Sequence, residues 1–439
     1  MADTGVSAEQ ASATMRSKQY VVLLVLTAFV GIVVSVAAWC FLELVYQIQQ
    51  ELFTHLPHAL GYPNGPPVWW PLPILAIAGL IVALTIVRLP GEGGHIPARG
   101  LAAGGAPRPA DLPGILLAGI ATLGLGLVLG PETPLIALGA GLGVLAIRMA
   151  RKDAPDQVVV VVAAAGSFAA LSFVFTSPLI AAVILIEATG IGGPRLPLVL
   201  LPGLLAAGIG TLVSIGIGSF SGLSTSAYAL GALPLPKFGP VHIANFGWTI
   251  ALAAVIAVAT QIIMWGGLKT YAVVRHRALL LLAPVGLIIA GLAIAFSQAT
   301  GKGIDEVLFS GQDQLPGLVS HATTYSLGAL ALLLVCKGLA YTLSLGSFRG
   351  GPTFPAMFLG AAGGIMASRL PGFPLTAAVG VGMAAAVVGV LRLPLTAVVI
   401  GTVLTAKSGD AVGPLIIVAA VVSYVVTLLV SARLTGSPS

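Results

Sequence analysis

The sequence predicts an all-α polytopic membrane protein built as two inverted repeats with broken and re-entrant helices, and three observations carry that expectation. Hydrophobic residues make up 57% of the 439 and charged residues only 8%, with a mean hydropathy of +1.06. Most of such a chain belongs in hydrocarbon rather than water. The 56 glycines and 30 prolines are too many for a bundle of long spans and suit short, interrupted, closely packed helices. Finally, blocks of sequence recur. GPETPLIALGAG from Gly130 returns as GPTFPAMFLGAAG from Gly351, 221 positions later, and PLIAAVI from Pro178 returns as PLTAVVI from Pro394, 216 positions later. Interrupted apolar segments at corresponding places in two halves point to a midplane site between repeats.

The elements follow in chain order. Residues 1–19 are polar and carry Arg16 and Lys18 beside the apolar run Tyr20–Leu44, which is longer than a signal-peptide core; this places the N-terminal segment in the cytoplasm and a first span after it. Gln47–Val68 has no Lys or Arg and leads into Trp69-Trp70, an interfacial pair on the outer side. Pro71–Val87 returns to Arg88, so the glycine-rich segment Gly91–Pro97 starts inside, too irregular for a span. Ile115–Gly130 and Pro134–Met149 read as a pair broken at the first motif and closed by Arg148, Arg151 and Lys152; Val158–Phe175 and Pro178–Thr189 read as a second broken pair. Leu196–Ile217 can span, which completes a first transmembrane repeat at 20–217. An external loop follows at 218–247, where Lys237 is the one basic residue of the Lys/Arg kind. The second repeat, 248–434, runs through Thr249–Leu268, Leu279–Phe296, Leu327–Leu345, the second motif, Leu375–Val390, Pro394–Ala406 and Leu415–Val430, leaving a tail at 435–439.

The net charge of +6 comes from small groups of Lys and Arg beside apolar runs, which read as topology signals rather than a nucleic-acid surface. Cys40 and Cys336 each sit in an apolar stretch, with neither a disulfide framework nor a ligand spacing. No metal and no cofactor are expected. An intramembrane enzyme, the remote alternative, needs a nucleophile and base or a metal set; there is no H-E-x-x-H, no carboxylate pair at helical spacing, and no serine or cysteine placed to partner His95.

The chemistry concentrates at the breaks. In the first motif Gly130 is expected to end one helix, Thr133 to cap the next and Pro134 to occupy its first position. The first-turn amides then present the positive helix end to the break and form an anion site from backbone alone. Phe354-Pro355 takes the same place in the second motif. The bland reading is a pair of proline kinks used for packing, but a carboxylate inside the membrane favours function. Glu132 is that carboxylate. Itself an anion, it can fold into the place of a permeating anion and act as a gate that opens on protonation. Glu187 has a transport role or a structural hydrogen-bonding role; His95 is a satisfied turn residue or, if it points into an inner vestibule, an anion donor. Lys337 and Arg349 raise the local potential for anions or pair with carbonyls.

These residues resemble the CLC family of chloride channels and chloride/proton exchangers over most of the chain from about Arg88 to Leu434. Gly130–Pro134 resembles the family's GxEGP, Gly93–Pro97 its GSGIP, Gly350–Pro355 its GxFxP region, and Phe173–Leu179 followed by Glu187 the helix with its inner glutamates; Val335–Leu339 carries the familiar basic residue. The resemblance implies a CLC-like fold, a divergent prokaryotic-type member, Glu132 as gate, and anion contacts at Gly94, His95, Ile96, Pro131, Thr133, Thr353 and Phe354. There are departures. Gly94 stands in the place of the family's serine, Phe354 is one position late, and Ala188 stands where exchangers keep the inner proton glutamate, with Glu187 beside it as a possible proton path. Pro131 occupies the place of an asparagine in the fluoride branch. The final helix with its tyrosine and the cytoplasmic CBS pair are expected to be missing.

The resulting expectation is transmembrane transport of a small inorganic anion, chloride first among the candidates, gated by Glu132 in a CLC-type channel or weakly coupled transporter. The alternative is a proton-coupled anion antiporter with a non-standard proton path. Partners are the anion, protons in the second case, and membrane lipid. A homodimer in the plasma membrane of a prokaryote, without nucleic acid, completes the expectation.

Overall fold

The computed structural model describes residues 7–101, 105–221 and 230–435; parts of the segments expected at 1–19, 218–247 and 435–439 therefore lie outside the described residues. Its helices in chain order are α1 (Ala8–Met15), α2 (Lys18–Gln50), α3 (Leu56–Ala59), α4 (Pro71–Arg88), α5 (Leu112–Gly124), α6 (Glu132–Ala150), α7 (Asp156–Phe175), α8 (Pro178–Thr189), α9 (Leu196–Ser221), α10 (Ile243–Val274), α11 (Ala278–Thr300), α12 (Gln314–Ser320), α13 (Leu327–Ser347), α14 (Thr353–Ala367), α15 (Leu375–Leu391), α16 (Pro394–Thr405) and α17 (Gly413–Thr435). Among the described residues, nine helices are long and apolar enough to cross a membrane. The 13 residues of α5, 12 of α8, 15 of α14, 17 of α15 and 12 of α16 fall short of the roughly 20 that a hydrocarbon core requires. These are the broken helices, and they need partners end to end to bridge the membrane.

The duplication extends to packing. α6 crosses α7 where Gly139 meets Gly166, and α14 crosses α15 where Gly360 meets Gly382; in each pair a Cβ on one glycine would strike the other's carbonyl. The members correspond at the same two offsets as the sequence blocks, 139 to 360 and 166 to 382. One turn on, Gly143 lies against Val162 and Ala163 as Gly364 lies against Ala378 and Val379. Small residues let apolar helices approach backbone to backbone, where dispersion and interhelical contacts replace a hydrophobic drive that lipid cannot supply. Even the strained ends match. α7 closes on Thr176 (φ 49°, ψ 26°) and α15 on Arg392 (φ 59°, ψ 33°), both left-handed non-glycine residues at the 216 offset.

α15 is apolar all round and buried over Thr376–Leu391, as a helix enclosed by protein must be. α7 is buried along its second half. Together they support α14 and α6 from behind and thereby fix the two helix N-termini that matter for function.

Two expectations about local structure are corrected. The run expected as helix through Gly130 ends at Gly124, and residues 125–131 are irregular; Leu127 donates back to Thr122 O at 3.0 Å and Gly126 takes φ 96°. Thr133 is not the N-cap. The cap is Pro131 (φ −82°, ψ −5°), so Glu132 is the first helical residue, Thr133 the second and Pro134 the third. Proline tolerates any of these places because first-turn amides have no intrahelical acceptor to lose.

Candidate functional site

The site is built where the two breaks touch. Gly130 N donates to Gly351 O at 2.7 Å and Gly351 N to Gly130 O at 2.5 Å, an isolated antiparallel bridge between equivalent residues of the two motifs. A reciprocal bridge of this kind is what a local twofold relation between inverted repeats produces. From it α6 and α14 start at matched residues, Glu132 and Thr353, behind matched caps, Pro131 and Pro352. Tyr341 Oη donates to the Pro352 carbonyl at 2.6 Å and fixes the cap of α14. Because Pro355 lacks an amide, Thr353 and Phe354 supply the free N–H groups of that helix end.

Glu132 crosses to the opposite repeat. It is 1% exposed, its Oε1 accepts from Phe354 N at 3.0 Å, and Oε2 has no hydrogen-bond partner. The Thr353 hydroxyl and amide and Glu132's own amide surround the carboxylate more loosely. A carboxylate thus sits at the positive end of α14, whose first-turn amides favour negative charge. Gly130 and Gly351 make the seat, since a Cβ on either would overlap the carboxylate.

Two spaces are lined by residues on either side of Glu132 in the chain. On the side of the basic loops a cavity of about 360 Å³ reaches Thr133, Pro134 and Arg349. A second, small pocket of about 40 Å³ is lined by Leu129 and Pro131 together with Gln49, Gln312 and Asp313. Glu132 stands between Pro131, which lines the second, and Thr133, which lines the first.

The remaining expected contacts divide. Gly94 and His95 line the cavity beside Thr133, whereas Ile96 is not among its lining residues. The Gly94 amide is occupied by Gly91 O at 2.7 Å. At φ 99°, with a Cβ position 3.1 Å from Ile115 Cγ1, this residue has no room for a serine. His95 Nε2 faces the Gly100 carbonyl at 3.0 Å; a carbonyl only accepts, so the proton is on Nε2. Burial holds the imidazole below its ordinary pKa, leaving a neutral ring whose Nδ1 has a lone pair to offer and no donor. Pro131 contributes its carbonyl, which accepts from Leu135 N at 3.1 Å. The Thr133 hydroxyl is buried with no partner.

Lys337 is placed by carbonyls, not by the path. Its Nζ donates to the main-chain oxygens of Glu306, Val307, Leu308 and Phe309 at 3.0, 3.2, 3.0 and 3.4 Å. Glu187 is likewise occupied. Its Oε1 accepts from Leu395 N at 2.9 Å and Oε2 from Thr396 N at 2.7 Å, so it caps α16, whose own N-cap Leu393 has no side-chain bond to give. Glu187→Ala is expected to cost roughly 1–2 kcal/mol of stability, the usual effect of losing a charged cap, while the pH profile of anion flux stays that of the parent; thermal melting and liposome flux together check this. Among the described residues no group of three His, Cys, Asp or Glu could hold a metal ion.

Sequence reasoning missed Tyr341 and the crossing glycines. The glycines had a signal, since each pair repeats at the two offsets; Tyr341 had none, because nothing in the sequence tells that its ring returns 11 residues along the chain to a proline carbonyl.

Comparison with known proteins agrees with this architecture. The family model described as "Voltage gated chloride channel" matches residues 100–428. YfeO of Escherichia coli O7:K1 (strain IAI39 / ExPEC), which carries a provisional ion-transport name, is 28% identical over 356 residues covering 80% of each chain. Its counterpart in Shigella sonnei (strain Ss046) is 27% identical over the same length and coverage. Among solved structures, a slow cyanobacterial Cl⁻/H⁺ antiporter superposes with a TM-score of 0.75 over 95% of each chain at 22% identity. A CLC-type fluoride/proton antiporter gives 0.69 over 96% of each chain at 17% identity. At these identities the two structures establish the fold.

Proposed function

Because this chain belongs to the voltage gated chloride channel family, we propose that it carries a small inorganic anion across the membrane, with chloride the first candidate and the Glu132 carboxylate as the gate. The observation that carries the reading is the single hydrogen bond from Phe354 N to Glu132 Oε1: the gate of one repeat occupies the anion site of the other. An anion arriving from the cavity meets Thr133 first and must displace the carboxylate from the amides of Thr353 and Phe354 to continue. Family membership places the chain among channels and transporters and sets aside the intramembrane enzyme. In the same proposal the protein is a homodimer with one path per subunit in the plasma membrane of a prokaryote.

Passive conduction or weak coupling is the preferred form. A proton route from the inner side to Glu132 lacks a carboxylate at Ala188, and Glu187 is engaged at α16. The second reading, proton-coupled antiport, is favoured by one fact: Glu132 is a carboxylate at the break itself, able to bind and release a proton there. The two part in liposomes holding the purified protein with equal chloride inside and out and a pH step of about two units. The passive form leaves chloride level, and uphill chloride accumulation driven by the pH step would establish antiport instead.

A further inference from the structure

The cavity on the basic side is lined by six residues with polar side chains, His95, Asp111, Thr133, Ser167, Thr189 and Arg349, and four of them are already occupied. His95 bonds Gly100 O. Asp111 is held by both Nε and Nη2 of Arg108 at 3.2 and 3.1 Å. The Ser167 hydroxyl donates to main-chain oxygen of Ile136 or Ala163, and that of Thr189 to Leu185. Two remain. Thr133 Oγ1 is buried without a partner. Arg349 is 5% exposed, and no carboxylate lies within ion-pair distance of it among the described residues.

The Arg349 guanidinium is only partly satisfied. Nε donates to Glu92 O at 3.2 Å and Nη1 to Phe348 O at 3.2 Å. A guanidinium has five N–H donors, so the second hydrogen on Nη1 and both on Nη2 are left for the cavity. The loop leaves space for the side chain: a Cβ on Gly93 would come within 3.3 Å of Arg349 Cγ. Glu92 and Tyr271 act on the guanidinium only from beyond ion-pair distance; a buried cation with no close counter-charge gains from an anion that completes it, and Arg349 lines the cavity that can admit one.

We infer that Arg349 and Thr133 form an anion subsite at the inner end of the path, and that it selects planar oxyanions of the nitrate and bicarbonate class over halides. The inference rests on the anion-transport reading above and deepens it. The Nη1–Nη2 edge presents parallel donors that match two oxygens of one planar anion, and the Thr133 hydroxyl is available to a third. A halide is a single point and gains from only part of that set. The two probes share this chemistry and differ in their third oxygen, a bare acceptor in nitrate and a hydroxyl in bicarbonate.

The test is calorimetric titration of the purified full-length protein in detergent with nitrate, bicarbonate and chloride, beside Arg349→Lys and Thr133→Val. The parent is expected to bind nitrate or bicarbonate about tenfold more tightly than chloride, the difference of a bidentate over a point contact. Arg349→Lys keeps the charge and loses the fork, so that preference falls to about twofold or less. Thr133→Val is close in shape, breaks no bond within the protein, and weakens the oxyanion by a further factor of about three to ten, the effect of one hydrogen bond. Equal binding of oxyanion and chloride by the parent overturns the inference, as does an undiminished preference in Arg349→Lys. Should that variant not fold, unchanged oxyanion affinity in Thr133→Val overturns it as well. Liposome flux of the parent is recorded in parallel: a protein that moves no anion fails the transport reading, whereas flux with no oxyanion preference fails the subsite alone.

Discussion

Replacing Glu132 with glutamine is expected to raise anion flux at neutral pH by about ten- to a hundredfold and to abolish its dependence on pH. The factor follows from the negative charge that the substitution removes from the Phe354 amide and the α14 N-terminus: bonds to charged groups contribute roughly 1.5–3 kcal/mol, and each 1.4 kcal/mol is about tenfold in an equilibrium. In the parent the carboxylate accepts from the Phe354 amide at 3.0 Å, and in the proposed mechanism its ionised form competes with the anion for the α14 N-terminus. Protonation removes the charge that this helix end attracts, so the side chain leaves and the anion enters. Flux through the parent therefore rises as pH falls through the pKa of the group and declines as pH rises above it. Glutamine has the shape of the protonated form at every pH, which fixes the path in its permissive state. Chloride efflux from liposomes over about pH 4.5 to 7.5 measures both effects. A Glu132→Gln protein with the parent's pH profile removes Glu132 from the gate.

What the sequence made legible depends on whether a feature repeats. The offsets 221 and 216 identified both breaks, and the structure adds that these offsets also govern the crossings Gly139–Gly166 and Gly360–Gly382 and the left-handed ends Thr176 and Arg392. Length and composition sufficed for nearly every span, because hydrocarbon allows few alternatives to a helix. Cap positions were not legible. Thr133 looks like an N-cap beside Pro134, yet the cap is Pro131, since the reciprocal bridge at Gly130 and Gly351 sets where each helix can begin, and a bridge between residues 221 apart leaves no local trace. His95 and Arg349 were both visible as polar residues near the motifs. Only three-dimensional pairing separates them: His95 faces a carbonyl that fixes its proton, while Arg349 keeps donors free. Glu187 was ambiguous for a related reason, as the amides that bond it are 208 and 209 residues away.

Gly351→Ala is expected to open the gate without touching its carboxylate. Gly351 is absent from the residues with positive φ, so alanine meets no backbone strain there. The three atoms nearest to the added methyl all belong to the Glu132 side chain, namely Oε2, Cδ and, at 3.0 Å, Cβ. The overlap is therefore relieved by movement of a flexible side chain rather than of main chain. With its seat filled, the carboxylate must leave the Phe354 amide, and flux at neutral pH should approach that of Glu132→Ala. The overpacking cost, typically about 1–3 kcal/mol, should appear as a lower melting temperature in Gly351→Ala alone. In the Glu132→Ala background the methyl has none of those three atoms but Cβ to meet, so both its flux effect and its stability cost should largely vanish. The four proteins form a double-mutant cycle in which residues in direct contact show strong non-additivity. Additive effects on flux and melting would mean that Gly351 acts through the bridge to Gly130 and not through the gate, and the seat assigned to Glu132 would have to be given up.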